Sequence, residues 1–256
     1  MRKKLFGAGT ILALTLLLTG CSNVNQPITK NSTGFWSQYF VYPLSEFITI
    51  IARFCGNSYG LAIIVTTIIV RLVLLPLMAK QVKSSKAMQD MQPKIKELQK
   101  IYSSKDQKTQ QKLQEEQMKL FQENHINPLA GCLPLLIQMP ILFAFYQAIV
   151  RTEAIKKQSF LWFQLGHSDP LFILPIVAGL TTFLQQKIMM GRMGTSDNPQ
   201  MAMMTYLFPI MIAVPAFYFP SALALYWVIG NIFMIFQTFI IYEKQNAPKT
   251  GGAKQN

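Results

Sequence analysis

Residues 61–79 carry one charge, Arg71, near the middle of an otherwise uncharged, largely apolar run. A helix rises about 1.5 Å per residue and the hydrocarbon core of a bilayer is about 30 Å thick, so a run of this length predicts a membrane span. Arg71 then falls near the midplane. Holding an arginine there costs roughly 2.5–3.5 kcal/mol on insertion scales, and the nearer span end lies about 12 Å away along the axis, beyond the reach of snorkelling alone. The charge requires either a buried acid or water admitted into the membrane.

A chain of 256 residues with 51% hydrophobic and 14% charged residues, and a mean hydropathy of +0.27, reads as an integral membrane protein rather than a large soluble domain. It is also basic, with 24 Lys and Arg against 11 Asp and Glu for a net +13. The lysines gather between apolar runs, where anionic lipid headgroups and RNA-rich partners are both attractors. Cys21, Cys55 and Cys132 are too few and too scattered for a disulfide framework.

Residues 1–20 predict a targeting segment, since Arg2, Lys3 and Lys4 precede an apolar run ending at Leu18. The ending Leu18-Thr19-Gly20-Cys21 resembles a bacterial lipoprotein signal, which makes Cys21 the expected lipidation site; an uncleaved anchor with a chance cysteine is the alternative. Cys21 then sits on the outer face, and loss of Arg2, Lys3 and Lys4 lowers the net charge from +13 to +10. Residues 21–57 combine a polar linker with an outer amphipathic helix, in which Phe40, Leu44, Phe47, Ile51 and Phe54 form a stripe at spacings of four and three. A helix lying flat at the interface is expected, with a tilted extra span as its rival.

The first transmembrane helix occupies 58–80, and 81–127 predict a cytoplasmic helical hairpin. Met88, Met91, Ile95, Leu98 and Tyr102 form the seam of its first helix, Leu113, Leu120 and Phe121 a weaker stripe on its second, and Pro93 kinks or restarts the first. Ten lysines and six acids between residues 80 and 126 also suit a merely solvated connector. Transmembrane helices two to five fall within 128–242, at 129–150, 171–190, 205–219 and 222–241, followed by a basic tail over 243–256. With Cys21 outside, the hairpin, Lys187, Arg192 and the tail face the cytoplasm. The loop at 151–170 lies outside with Arg151, Lys156 and Lys157 against Glu153 and Asp169, as the positive-inside rule requires.

No predicted span contains an Asp or Glu, so a water-containing cavity lined by neutral polar groups is the cheaper answer to Arg71. Counted from the outer span ends, Arg71, Gln138, Gln185, Gln186 and Asn231 lie within roughly 8 Å of one another in depth. They are the candidates to line one cavity. The alternative for each neutral group is an interhelical hydrogen bond worth about 1 kcal/mol or less. His125 and His167 fall on opposite sides of the membrane, no buried carboxylate pairs with a serine or cysteine, and no phosphate loop or metal-ligand spacing appears. Enzymatic chemistry, cofactor and metal are therefore not expected.

Five segments carry a family likeness: I-I-V-R-L-V-L-L-P-L around Arg71, N-P-L-A-G-C-L-P-L-L-I-Q-M-P-I opening the second span, F-L-W-F-Q-L-G in the outer loop, N-P-Q-M-A-M-M before the fourth span, and L-Y-W-V-I-G-N in the fifth. In combination they resemble the YidC/Oxa/Alb family of membrane protein insertases, in the shorter lipoprotein branch of Gram-positive bacteria, over essentially the whole mature chain. The resemblance implies an all-α protein of the bacterial cell membrane. Its five transmembrane helices would surround a hydrophilic groove open to cytoplasm and lipid but closed outside, with the N-terminus lipid-anchored outside and the C-terminus cytoplasmic. It implies that Arg71 meets acidic or polar parts of a client in transit, with Gln185 or Gln186 and Trp227 in the same groove. Nascent membrane proteins are the implied partners, alongside the ribosome, the signal recognition particle receptor, the Sec translocon and membrane lipids, with no sequence-specific nucleic acid. A small-solute or ion transporter is the runner-up, because interrupted spans and midplane polar groups are also its signature.

Overall fold

The computed structural model describes residues 26–104, 106–124, 126, 133–193 and 199–246; of residues 81–86, 88, 89, 133–135, 192, 193, 199–204 and 242–246 it describes the backbone alone. Cys21, His125 and Cys132 lie outside the described residues, as do Asp197 and the end of the tail. One π-helical turn (Ser37–Val41) leads into α1 (Tyr42–Phe54), followed by α2 (Tyr59–Asp90), α3 (Gln92–Ile101), α4 (Gln107–Glu123) and α5 (Leu133–Arg151). A short α6 (Glu153–Lys157) and a ribbon of β1 (Ser159–Phe160) and β2 (Phe163–Gln164) lead to α7 (Ile173–Met193), α8 (Pro199–Ala216) and α9 (Ser221–Asn246). The protein is all-α apart from that antiparallel ribbon, which pairs Ser159 with Gln164 and Phe160 with Phe163. The sequence reading had only a polar loop here.

Among the described residues three helices are long and apolar enough to cross a membrane, at Tyr59–Lys80, Ile173–Gly191 and Ser221–Ile241. The apolar stretches of α5 and α8 are shorter, Leu136–Arg151 and Thr205–Ala216. α9 is the central helix, packed broadly on α7 and α2, while α8 leans chiefly on α7 and α5 touches α2 and α9 only lightly.

The core sits at one end of the bundle, the end bearing the 151–170 loop. Every residue of α9 from Ser221 to Val228 is buried, against Ile63 of α2, Phe145 and Ile149 of α5 and Ala178 of α7. Toward the hairpin end burial thins out, and Leu136, Met139 and Phe143 of α5 are exposed. The loop stitches the helix ends together through its backbone. The Gln158 carboxamide accepts from the Tyr59 amide at 2.5 Å and donates to the Asn57 carbonyl at 2.7 Å. The Ala222 amide donates to the Leu165 carbonyl at 3.1 Å, and the Ser221 amide and hydroxyl donate to the His167 carbonyl at 2.7 and 2.8 Å. Asp169, fully enclosed, accepts from Trp162 Nε1 and the amides of Leu171 and Leu174, which caps the start of α7. Gly166 lets the chain close on Lys156, whose carbonyl oxygen would lie 2.5 Å from an added Cβ.

Ser45, Ile48 and Ala52 are the buried residues of α1, as Ser37 and Val41 are of the turn before it, and the helix packs on α2 and α5. Small side chains let helix backbones approach closely, so they form the packing face. The expected stripe lies elsewhere: Leu44, Phe47 and Ile51 are half-buried and Phe40 and Phe54 exposed. The helix thus has two apolar faces.

In the hairpin, the long α2 helix ends at Asp90 and α3 begins at Gln92, with Pro93 in its first turn where the missing amide costs nothing. Met91 and Ile95 are buried, while Leu98, Leu113, Leu120 and Phe121 are half-buried. Asp106 caps α4 by accepting from the Thr109 amide at 2.9 Å; the Ser104 hydroxyl and Thr109 hold its carboxyl well below the usual carboxylate range.

Arg151 ends α5 at 4% exposure. Its guanidinium donates to the Gln26 carbonyl at 2.9 Å, the Ser37 hydroxyl at 2.9 Å and Gln147 Oε1 at 3.2 Å, while its own carbonyl accepts from the Ile28 amide at 2.9 Å. It therefore pins the N-terminal linker to α5. Arg151→Ala is expected to cost about 2 kcal/mol, the scale of one or two hydrogen bonds to a charged group, and to speed hydrogen exchange at Ile28. Arg151→Lys should restore little, because an ammonium lacks the fork that spans three acceptors. Unchanged exchange at Ile28 in both variants contradicts the assignment.

Candidate functional site

The polar residues inside the bundle form two linked groups and some isolated positions. Arg71 of α2 is 7% exposed, and Thr67, one turn before it, and Met78 lie on its side of the helix, also buried. Among the described residues its guanidinium makes no ion pair and no hydrogen bond. Thr67 donates its hydroxyl back to the Ile63 carbonyl at 2.6 Å, whereas the Thr66 hydroxyl is the one buried side-chain polar atom without a partner among the described residues. Among the described residues α2 thus buries a cation and a hydroxyl whose hydrogen-bonding capacity is unused.

Opposite Arg71 stands α9. The guanidinium passes so close to Gly230 that an added Cβ would lie 2.7 Å from Nη2. One turn away, Tyr226, fully buried, stacks on Phe145 at 4.4 Å between ring centroids and accepts a 2.7 Å hydrogen bond from Gln138 Nε2 of α5. Arg71, Tyr226 and Gln138 therefore link α2, α9 and α5 at the level where the core gives way to the more open half.

The second group joins α9 to α7. Asn231 Nδ2 donates to the hydroxyls of Thr182 at 2.8 Å and Thr181 at 3.3 Å, and both threonines donate to carbonyls of their own helix. Gln185, 7% exposed, donates to Met189 Sδ of the same helix at 3.6 Å, and Gln186 is half-buried. Trp227 is 9% exposed and leans on Phe219 at 6.4 Å. No hydrogen bond among the described residues joins Gln185, Gln186 or Trp227 to Arg71. Tyr226 and Gly230 escaped the sequence reading although both lie in L-Y-W-V-I-G-N, because a tyrosine reads as core and a helical glycine as filler.

A family model described as 60Kd inner membrane protein matches residues 50–249. The chain belongs to that family. Over 257 residues it is 58% identical to a "Membrane protein insertase YidC 2" of Bacillus anthracis, with all of both chains covered. It is likewise 58% identical to a "Membrane protein insertase MisCA" of Bacillus subtilis (strain 168), covering 96% of this chain and 95% of the relative. A solved structure, "Active YidC insertase crystal structure with the first transmembrane domain resolved", superposes with a TM-score of 0.62 at 27% identity. That match covers 81% of this chain and 46% of the solved one, so this chain spans less than half its length. The family membership agrees with the resemblance read from the motifs.

The Asn231 bonds give the site a measurable strut. Asn231→Leu is expected to lower stability in detergent by about 1 kcal/mol, and a cycle with Thr182→Val should return most of that as coupling. Zero coupling contradicts the strut.

Proposed function

We propose that this protein inserts newly made membrane proteins into a bacterial cell membrane and assists their folding, with its five apolar helices as five spans. The observation that carries the reading is Arg71, a buried guanidinium without an acidic partner among the described residues, in a chain whose relatives are named membrane protein insertases. A client's polar segment has to cross about 30 Å of hydrocarbon, and a wet, positively charged recess reaching midway shortens the dry path and attracts carboxylates. The client's apolar helix then leaves sideways into lipid past the loosely held α5.

In this reading Gln138, Gln185 or Gln186, Trp227 and Asn231 line the recess beside Arg71. No covalent bond is made or broken, so neither catalytic group, metal nor cofactor is required. The 151–170 loop closes the outer side, Cys21 carries the lipid anchor there, and the hairpin and tail stand in the cytoplasm. The hairpin is the first contact for a nascent client, the ribosome or the signal recognition particle receptor, and the Sec translocon is a partner for larger clients. The solute-transporter reading gains no support from relatives named insertases.

The test is insertion into liposomes, scored by protease protection at matched protein levels, of clients whose translocated tails are acidic or neutral. Arg71→Lys should retain insertion, while Arg71→Ala should cut insertion of acidic-tailed clients about tenfold and spare neutral-tailed ones, as expected when one member of a charge pair is lost. Equal loss for both tails contradicts a role for the charge in client recognition.

A further inference from the structure

Gly230 stands in the middle of α9, is buried, and has an ordinary helical backbone; the described glycines with positive φ are Gly34 and Gly56. Glycine in a helix interior is less stable than alanine, so its use here needs a reason other than conformation. The surroundings supply one. The three atoms nearest to a Cβ built on Gly230 are Arg71 Nη2 at 2.7 Å, Nε at 3.4 Å and Cζ at 3.5 Å. One guanidinium nitrogen, Nη2, thus occupies the space that a methyl group would take, with Nε and Cζ in ordinary contact behind it. Other crowded glycines differ: the space at Gly60 is filled by the Phe160 ring and that at Gly166 by the backbone and side chain of Lys156.

We infer that Gly230 is the seat of the Arg71 guanidinium, a positioning residue that holds the charge where a client carboxylate meets it; the second part rests on the insertase reading above. The seat works through shape. Bare Cα lets the guanidinium approach α9 beside the Tyr226 and Gln138 pair, and a methyl group there pushes it away. Because the displaced group is the far end of a flexible side chain, the charge moves while the helices stay in place.

The experiment uses the full-length protein in liposomes with two readouts. Modification of Arg71 by phenylglyoxal, read by peptide mass spectrometry, reports the exposure of the guanidinium without reference to activity. Insertion of acidic-tailed and neutral-tailed clients reports its use. Gly230→Ala should raise Arg71 modification several-fold and lower insertion of acidic-tailed clients about fivefold, with neutral-tailed clients unaffected. In an Arg71→Lys background the same alanine should change insertion by less than about twofold, because an ammonium has no plane to seat. Gly191→Ala, whose methyl group meets nothing within 4 Å, should match wild type throughout. Should Gly230→Ala lower abundance, adding Arg71→Ala should restore it by vacating the space.

Unchanged Arg71 modification overturns the seat, as does equal loss of insertion in the arginine and lysine backgrounds or failure of Arg71→Ala to restore abundance. If Arg71→Ala itself spares acidic-tailed clients, the client-charge reading fails. Raised Arg71 modification in Gly230→Ala would still uphold the seat.

Discussion

A buried guanidinium without an acid beside it among the described residues is the constraint on which this bundle turns. A carboxylate within ion-pair distance would quench Arg71 and make it a structural strut; among the described residues none lies there. The guanidinium instead lies against neutral matter: a bare glycine Cα of α9, one turn from a tyrosine hydroxyl already engaged by Gln138. Such a group stays charged at tolerable cost only where water or a visiting anion supplies the missing acceptors.

The rest of the molecule divides its stability accordingly. At the loop end, apolar packing around Phe145, Ile149 and Tyr226 combines with backbone ties from the loop to α2, α7 and α9. There the helices are held as a unit. Toward the hairpin end α5 is held less closely among the described residues, and its Leu136, Met139 and Phe143 are exposed. Arg151 shows how differently the same side chain is treated at the closed end, where three neutral acceptors enclose the guanidinium. One arginine is satisfied and fastens the chain; the other is left with capacity to spare.

What the sequence made legible followed from length, hydropathy and charge. The Arg71 helix, the hairpin broken before Pro93 and the apolar helices appear as expected because each depends on local pattern. Features made by distant partners were hidden. The β-ribbon depends on pairing and on Leu161 adopting a positive φ of 54°, which no leucine advertises. Arg151 read as an ordinary loop cation because its acceptors come from residues 26 and 37, more than a hundred positions away. In α1 Leu44 and Ile51 of the expected stripe pack at the edge of the core, while Ser45, Ile48 and Ala52 beside them are the buried residues. Gly230 became meaningful only once Arg71 was seen to lie against it.

The central claim is that water reaches the level of Arg71 from the hairpin end and from nowhere else. Single cysteines at Gln138 and Gln186, and one at Ala62 in the packed half as a control, probe it directly in a chain carrying Cys55→Ser and Cys132→Ser. A membrane-impermeant maleimide should label positions 138 and 186 from the cytoplasmic side alone and leave position 62 untouched from either side. Labelling of 138 and 186 from neither side would mean a dry bundle, and labelling from both would mean an open pore; either result contradicts the account.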